Sequence, residues 1–195
     1  MKPDALTAKS RDALAAYAAL LSRWTARINL VSPRDLQRLE ERHINDAAQL
    51  VPLIPQGTRR IADLGSGAGF PGLVLALLTR VETHLVERDR RKAAFLREAV
   101  RVTGAPATVH AADATALPPL DADLVTARAL APLPALLPLA ARHLAHGGTC
   151  LFPKGASAEA ELTAASRDWT MRVERFTSRT DPAATILRLT EVARA

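Results

Sequence analysis

Apolar positions along the chain follow two rhythms, and the change between them falls near residue 59. Before it, Leu14, Tyr17, Leu21, Trp24 and Ile28 recur at helical spacing, which predicts an amphipathic helix over residues 10–28. Ser32 followed by Pro33 marks a second helix start, a hydroxyl that accepts from free amides and then a residue that lacks one. Asp35 adds negative charge to that first turn. One helix is predicted onward from there, with Leu36, Leu39, His43, Ala47 and Leu50 along one side. Residues 1–58 thus read as a helical extension.

After it, strands alternate with helices. Strands are predicted at 61–64, 83–87, 107–111, 122–127 and 149–152, with helices at 88–103, 134–145 (ended by Gly147-Gly148) and 157–168. Two closing strands, 171–176 and 184–190, lie close enough in sequence to pair antiparallel. This order predicts an α/β fold, a mostly parallel seven-stranded sheet covered on both faces, over residues 59–195.

Composition narrows the class. The 195 residues suit one domain, and an apolar fraction of 48% is ample for one core. The formal charge of +6, carried mainly by arginine, favours a polyanionic partner only weakly. The single cysteine, Cys150, allows no internal disulfide. The longest apolar run, residues 129–141, contains Pro132, Pro134 and Pro138 and is too short to span a bilayer. A cytoplasmic protein acting as a monomer, with no membrane contact, is expected.

The candidate chemistry lies in Ala62-Asp63-Leu64-Gly65-Ser66-Gly67-Ala68-Gly69-Phe70-Pro71-Gly72, where a strand ends, glycines alternate and an apolar helix follows. Glycines let the backbone turn sharply and a ligand lie against bare peptide. Gly67, Gly69 and Gly72 also match the dinucleotide pattern, with Glu87 about 20 residues beyond. That pattern begins directly after its strand, however, and here Gly65 holds that place with Asp63 before it. An acid ahead of such a loop suits a cofactor with a cationic aminoacyl end and no phosphates, such as S-adenosylmethionine. Glu87 is placed for ribose hydroxyls under either reading, and Asp113 for the adenine. A nucleotide-dependent oxidoreductase and a ligand-free turn are the alternatives.

The fourth strand ends Thr126-Ala127-Arg128-Ala129, without the polar-Pro-Pro-aromatic motif usual for methylating exocyclic amines. Cys150 sits in an apolar strand and reads as core, not as a nucleophile. No His and Cys cluster has metal-ligand spacing. Direct methyl transfer to an atom with a free lone pair remains, with the protein supplying mainly alignment.

Over most of its length, from Trp24 to Arg188, the chain resembles the RsmG (GidB) family. The resemblance rests on Asn29-Leu30-Val31-Ser32, Arg42-His43-Ile44-Asn45-Asp46, the glycine loop with Phe70-Pro71-Gly72, Arg91-Lys92-Ala93-Ala94-Phe95-Leu96, Ala127-Arg128-Ala129 and Lys154-Gly155. It implies a class I methyltransferase fold and methylation of guanine N7 in bacterial 16S ribosomal RNA, at guanine 527 of the 530 loop. It further implies that Gly65 and Phe70 line the cofactor site, that Ala114 and Thr115 touch the adenine end, and that Arg128 lies where cofactor and substrate meet. The chain departs from the family in having Asp113-Ala114-Thr115 where an Arg-x-Glu-like segment is usual, and in a somewhat short C-terminus.

The cofactor candidates are therefore Asp63, Gly65, Gly67, Gly69, Phe70, Glu87, Asp113, Ala114, Thr115 and Arg128, and the catalytic candidates Arg128 and Lys154. Lys154 is expected to hold an RNA phosphate or guanine O6. Arg88, Arg90, Arg91, Lys92, Arg97 and Arg101 read first as a solvated helix face and second as an RNA contact. His43 reads as a core histidine, Asp46 as a brace for the glycine loop and Trp24 as core. A non-catalytic RNA-binding module and a small-molecule methyltransferase are the competing functions; intact Asp63, Gly65, Gly67, Gly69 and Glu87 argue against the first, which calorimetric cofactor binding would separate, and the second would lack RNA affinity with a steep salt dependence.

Overall fold

A computed structural model describes residues 7–195. The first six residues of the predicted helical extension lie outside that range. Helix α1 runs Ala8–Thr25, capped by Thr7, and buries Leu14, Tyr17, Leu20 and Leu21. The single helix expected after Ser32 is instead three short pieces: α2 (Pro33–Gln37), a π-helical turn (Glu40–Ile44) and α3 (Asn45–Ala48). Ser32 accepts from the Asp35 amide as predicted. The wide turn is the departure, and its Arg42 carbonyl accepts a bond from the Arg128 side chain across the chain.

The sheet follows the predicted alternation. Its strands are β1 (Arg60–Leu64), β2 (Glu82–Val86), β3 (Ala107–His110), β4 (Ala122–Thr126), β5 (Leu144–Lys154), β6 (Trp169–Thr177) and β7 (Thr185–Arg194). They lie in the order β3-β2-β1-β4-β5-β7-β6. The first five are parallel, and β7 runs antiparallel to both β5 and β6. The helices between them are α4 (Gly72–Thr79), α5 (Arg90–Thr103), α6 (Leu133–His143) and α7 (Ala158–Ala165). The predicted role of Gly147-Gly148 was wrong: α6 ends at His143, and both glycines belong to a β5 that starts at Leu144.

Strand alternation sorts side chains between two layers. Ala62, Leu64, Val125, Cys150 and Phe152 face α6 and α7. Ile61, Leu124 and Leu151 face the opposite side, against Leu50 and Leu75. On that side Tyr17, Leu20 and Leu21 of α1 share one cluster with Phe70 and Leu73 after the glycine loop and with Phe95 of α5. Trp24 packs edge-on against Phe95, as core. The N-terminal helices thus complete the layer behind the glycine loop.

Asp63 shares the face of Ile61 and meets the start of α4. The approach is so close that a Cβ on Gly72 would lie 2.4 Å from the Asp63 Cβ and 2.5 Å from Oδ2. Gly72→Ala is expected to lower the unfolding free energy by about 1–3 kcal/mol, as overpacking does. Thermal and denaturant unfolding measure it, and an unchanged midpoint would show that strand and helix have room to separate.

Candidate active site

The site gathers at the carboxyl ends of the parallel strands, where open α/β sheets bind ligands. The loop after β1 uses its glycines for different purposes. Gly65 (φ +70) has Leu130 packed on the face a Cβ would occupy, with Cδ1 2.6 Å from that position. Gly67 (φ +56) turns its equivalent face to open space, with only the Gly65 carbonyl within 4 Å, at 3.8 Å. Gly69 turns toward the Tyr17 hydroxyl and the Leu73 side chain, so packing of the loop on α1 and α4 requires that glycine. Of the three, Gly67 alone leaves its face bare. Tyr17 donates its hydroxyl to the Ala68 carbonyl and ties α1 to the loop, a support with no signal in the sequence beyond the residue's place on the apolar stripe.

Glu87, just after β2, is buried and braces this loop. Its Oε2 accepts from the Gly67 amide and its Oε1 from the Asp89 amide, both at 2.8 Å. Each oxygen keeps a lone pair. Asp113 follows β3 and accepts from the amide and hydroxyl of Thr115, capping the short turn Ala114–Ala116. Those bonds hold its carboxyl below the usual range. The Ala114 carbonyl accepts from the buried His143.

Asp63 is fully buried, and neither carboxylate oxygen completes a hydrogen bond. The Ser66 hydroxyl donates to the Asp63 main-chain carbonyl instead. Burial pushes its carboxyl up to about 7, although Ser66, the Gly72 amide and Arg128 lie near enough to pull it back. A buried carboxylate with open acceptors fits a cationic group, and with the bare face of Gly67 it fits a cofactor of the kind expected from the sequence.

Arg128, two residues beyond β4, gathers the N-terminal helices. Its Nη1 donates to Asp46 Oδ2 at 3.1 Å and its Nη2 to His43 Nδ1 at 2.8 Å. Its guanidinium carbon stands 5.2 Å from the centre of the buried Phe70 ring. Phe70 thus lies behind Arg128 and His43 and backs this wall of the cleft. His43 was expected in the core; it stacks on Phe70 and lines the cleft. Burial and the Arg128 charge lower its pKa to about 4, so at neutral pH it is uncharged and accepts at Nδ1. Asp46 braces Arg128, Gln49 and Thr180, not the glycine loop. Gln49 in turn bonds Ser178 and the Arg179 amide, tying α3 to the segment between β6 and β7.

Lys154 lies at the expected edge, and its ammonium already has two partners within the protein. It donates to the Ala131 carbonyl at 2.8 Å and pairs with Glu161 at 2.9 Å. Glu161 also accepts from the Leu133 amide and Ser157. The pair therefore clamps the loop between β4 and α6, which carries Arg128 and Leu130. Two of the three ammonium N–H groups are thus engaged within the protein, and one remains for the RNA contact expected of Lys154. The helix-α5 arginines are exposed as expected; Arg101 is paired with Glu98, and Arg91 bonds the Arg27 carbonyl.

The cleft beside these groups holds about 540 Å³ and is walled by Arg42, His43, Asp46, Arg128, Lys154 and Thr180, among others. No group of three or more His, Cys, Asp and Glu among the described residues has the arrangement of a metal site. Burial pushes the Cys150 thiol up to about 12, as suits a core residue. No helix among the described residues is long and apolar enough to cross a membrane.

The family model described as rRNA small subunit methyltransferase G (GidB) matches residues 10–184. The chain belongs to this family. A ribosomal RNA small subunit methyltransferase G from Rhodospirillum centenum is 63% identical over 93% of this chain and 84% of its own length. One from Paramagnetospirillum magneticum is 52% identical over 100% and 98%. Among solved structures, M. jannaschii TYW2 in complex with AdoMet aligns with a TM-score of 0.61 at 14% identity, covering 88% of this chain and 80% of that one. A predicted O-methyltransferase from Agrobacterium tumefaciens gives 0.58 at 21% identity, over 74% and 80%. The fold is the Rossmann-like methyltransferase fold, and this family member is a methyltransferase of small-subunit ribosomal RNA.

The clamp gives a stability prediction with a defined pH dependence. Burial raises the Glu161 carboxyl, but the bonds from Lys154, Ser157 and Leu133 outweigh it and leave its pKa lowered. A lowered folded pKa contributes stability above the ordinary carboxylate value, and that contribution is lost as pH falls through the folded one. Lys154→Ala should therefore cost about 1–3 kcal/mol at neutral pH, as for a charged hydrogen bond, and progressively less below the ordinary glutamate range. Urea unfolding of both proteins across pH checks it; a penalty that stays constant into acid would remove the clamp from the account.

Proposed function

We infer that this methyltransferase uses S-adenosylmethionine to methylate N7 of a guanine in 16S ribosomal RNA, at guanine 527 by family resemblance. The observation that carries the cofactor reading is the buried, unpartnered Asp63 carboxylate below a glycine loop whose Gly67 face is bare. The family supports the RNA, and the absence of a polar-Pro-Pro-aromatic motif after β4 supports a ring nitrogen over an exocyclic amine.

When bound, S-adenosylmethionine supplies a methyl group on a sulfonium leaving group. Asp63 balances the cationic aminoacyl end. Glu87, held from one side by the Gly67 and Asp89 amides, offers its remaining lone pairs to the ribose hydroxyls. Asp113, Ala114 and Thr115 flank the adenine, with the turn held rigid by the Asp113 cap. Guanine N7 presents its own lone pair, so no side chain need remove a proton first. The protein contributes alignment and exclusion of water, which together supply much of such a barrier. Arg128 is the residue nearest this task. Lys154 acts through the loop it clamps, and its third N–H is left for an RNA oxygen. One protein copy contains every group named, in keeping with a monomer.

Two measurements test this reading. Mass-spectrometric mapping of 16S ribosomal RNA from cells with and without the protein should show one 7-methylguanosine lost in its absence; identical maps would remove the activity. Gly67→Val should abolish calorimetric binding of S-adenosylhomocysteine, which keeps the aminoacyl and ribose groups. The left-handed backbone there costs valine about 1–2 kcal/mol, so circular dichroism should still show a folded chain; normal binding would move the cofactor off this loop.

A third prediction follows from the raised pKa of Asp63. Below about 7 the Asp63 carboxyl holds a proton, which must leave before the carboxylate can pair with the ligand's ammonium. Affinity should therefore strengthen as pH rises through 7, falling up to about tenfold per unit below it. Asp63→Asn should flatten that profile, and parallel profiles for the two proteins would place the ammonium elsewhere.

A further inference from the structure

The sequence keeps Phe70, His43 and Arg128 in three separate segments, and the fold layers them. The His43 ring lies on Phe70 with centroids 4.9 Å apart and planes inclined by 21°. The Arg128 guanidinium carbon lies 5.2 Å from the centroid of the same Phe70 ring. Its Nη2 bonds His43 Nδ1 at 2.8 Å. The Nδ1 lone pair lies in the imidazole plane, so this bond keeps the guanidinium nitrogen close to that plane. The two groups therefore sit side by side over Phe70. Behind Phe70 stands Tyr17, with ring centroids 5.5 Å apart, so the layer has a buried backing.

What remains free on Arg128 decides what it can bind. Nη1 is taken by Asp46 and the Arg42 carbonyl, and Nη2 by His43. Three of its five N–H groups are thus engaged, both of those on Nη1 among them, so the end-on fork across Nη1 and Nη2 is taken. One side of the guanidinium lies toward the Phe70 ring, and both Arg128 and His43 line the cleft. The cleft's volume of about 540 Å³ lies within the ordinary range for a small-ligand site. Leu130, on the same loop, touches Gly65, so this surface adjoins the loop assigned to the cofactor.

Resting on the guanine reading above, we propose that Arg128 and His43 form a hydrogen-bonded plate, backed by Phe70, on which the acceptor purine stacks. Splayed-out RNA bases are held on aromatic rings and guanidinium planes in this way. Charge suits the task. Methyl transfer to N7 moves positive charge onto the purine, which a bare cation beneath it would oppose. Asp46 neutralises Arg128 in place, at 3.1 Å, and His43 is uncharged, so the plate carries no net charge. Stacking fixes the tilt of the base, and alignment of the N7 lone pair with the methyl depends on that tilt.

The test uses the full chain saturated with S-adenosylhomocysteine. Guanosine 5′-monophosphate, 7-deazaguanosine 5′-monophosphate and ribose 5-phosphate are titrated to tens of millimolar while the Arg128 Nε–H and His43 ring signals are followed by NMR. Stacking shifts both upfield with the two nucleotides and not with the sugar phosphate. The deaza analogue has no N7, so its shift tests the plate whether or not N7 is the acceptor, and methylation mapping tests the acceptor separately. In kinetics on small ribosomal subunits, Arg128→Lys keeps the charge and loses the plane; kcat/KM should fall about tenfold or more, the size of a lost base stack. His43→Phe keeps a flat surface and should retain more activity than His43→Ala. Cofactor affinity should hold in both His43 variants, and Arg128→Lys is compared at saturating cofactor. The proposal is overturned if the nucleotides leave both signals unmoved, if Arg128→Lys methylates at the parent rate, or if His43→Phe is as impaired as His43→Ala.

Discussion

One guanidinium joins parts of the chain that lie 82 and 85 positions apart. Arg128 reaches back to Asp46 and His43, and Asp46 reaches forward to Thr180. The wall of the cleft is thus made from the N-terminal extension, the end of β4 and the segment between β6 and β7. Arg128 and Asp46 are both largely shielded from solvent, with side-chain exposures of 22% and 17%. Removing either would leave the other charged and poorly hydrated, so the pair holds these segments in one arrangement.

The cofactor half of the site is organised differently. Its polar groups are few, and most serve the backbone: Glu87 holds the Gly67 and Asp89 amides, and Asp113 holds Thr115. Asp63 is the exception, buried under the start of α4 with no partner. The close approach at Gly72 seals it from that side. A carboxylate left this way costs folding energy, and a bound cation recovers it. The site therefore trades some stability of the empty protein for attraction to a positively charged ligand.

Much of the fold was legible in the sequence because it rests on local periodicity. Alternating apolar positions and turn residues marked the strands, and the closing pair was antiparallel as its short connection required. Where two periodic signals met, the reading failed. Gly147-Gly148 looked like a helix stop, but pairing with β4 begins at Leu144, and the glycines lie in the irregular stretch before the ladder resumes at Thr149. The helix after Ser32 looked continuous because its apolar spacing is continuous, yet its middle widens into a π turn whose carbonyl answers Arg128.

By itself the sequence determined the strand order of events along the chain, the glycine loop with its acid and the family, since each depends on residue type and short spacing. Tertiary structure decided which of those residues meet. It put Lys154 in a clamp with Glu161, gave Gly69 to packing and Gly67 to an open face, and moved His43 from the core to the wall of a cleft. No local pattern carries that information, because a side chain's partner across 80 residues is chosen by the path of the sheet between them. A lone Lys, His or Asp reads the same in sequence whether its charge is free, paired or sealed away.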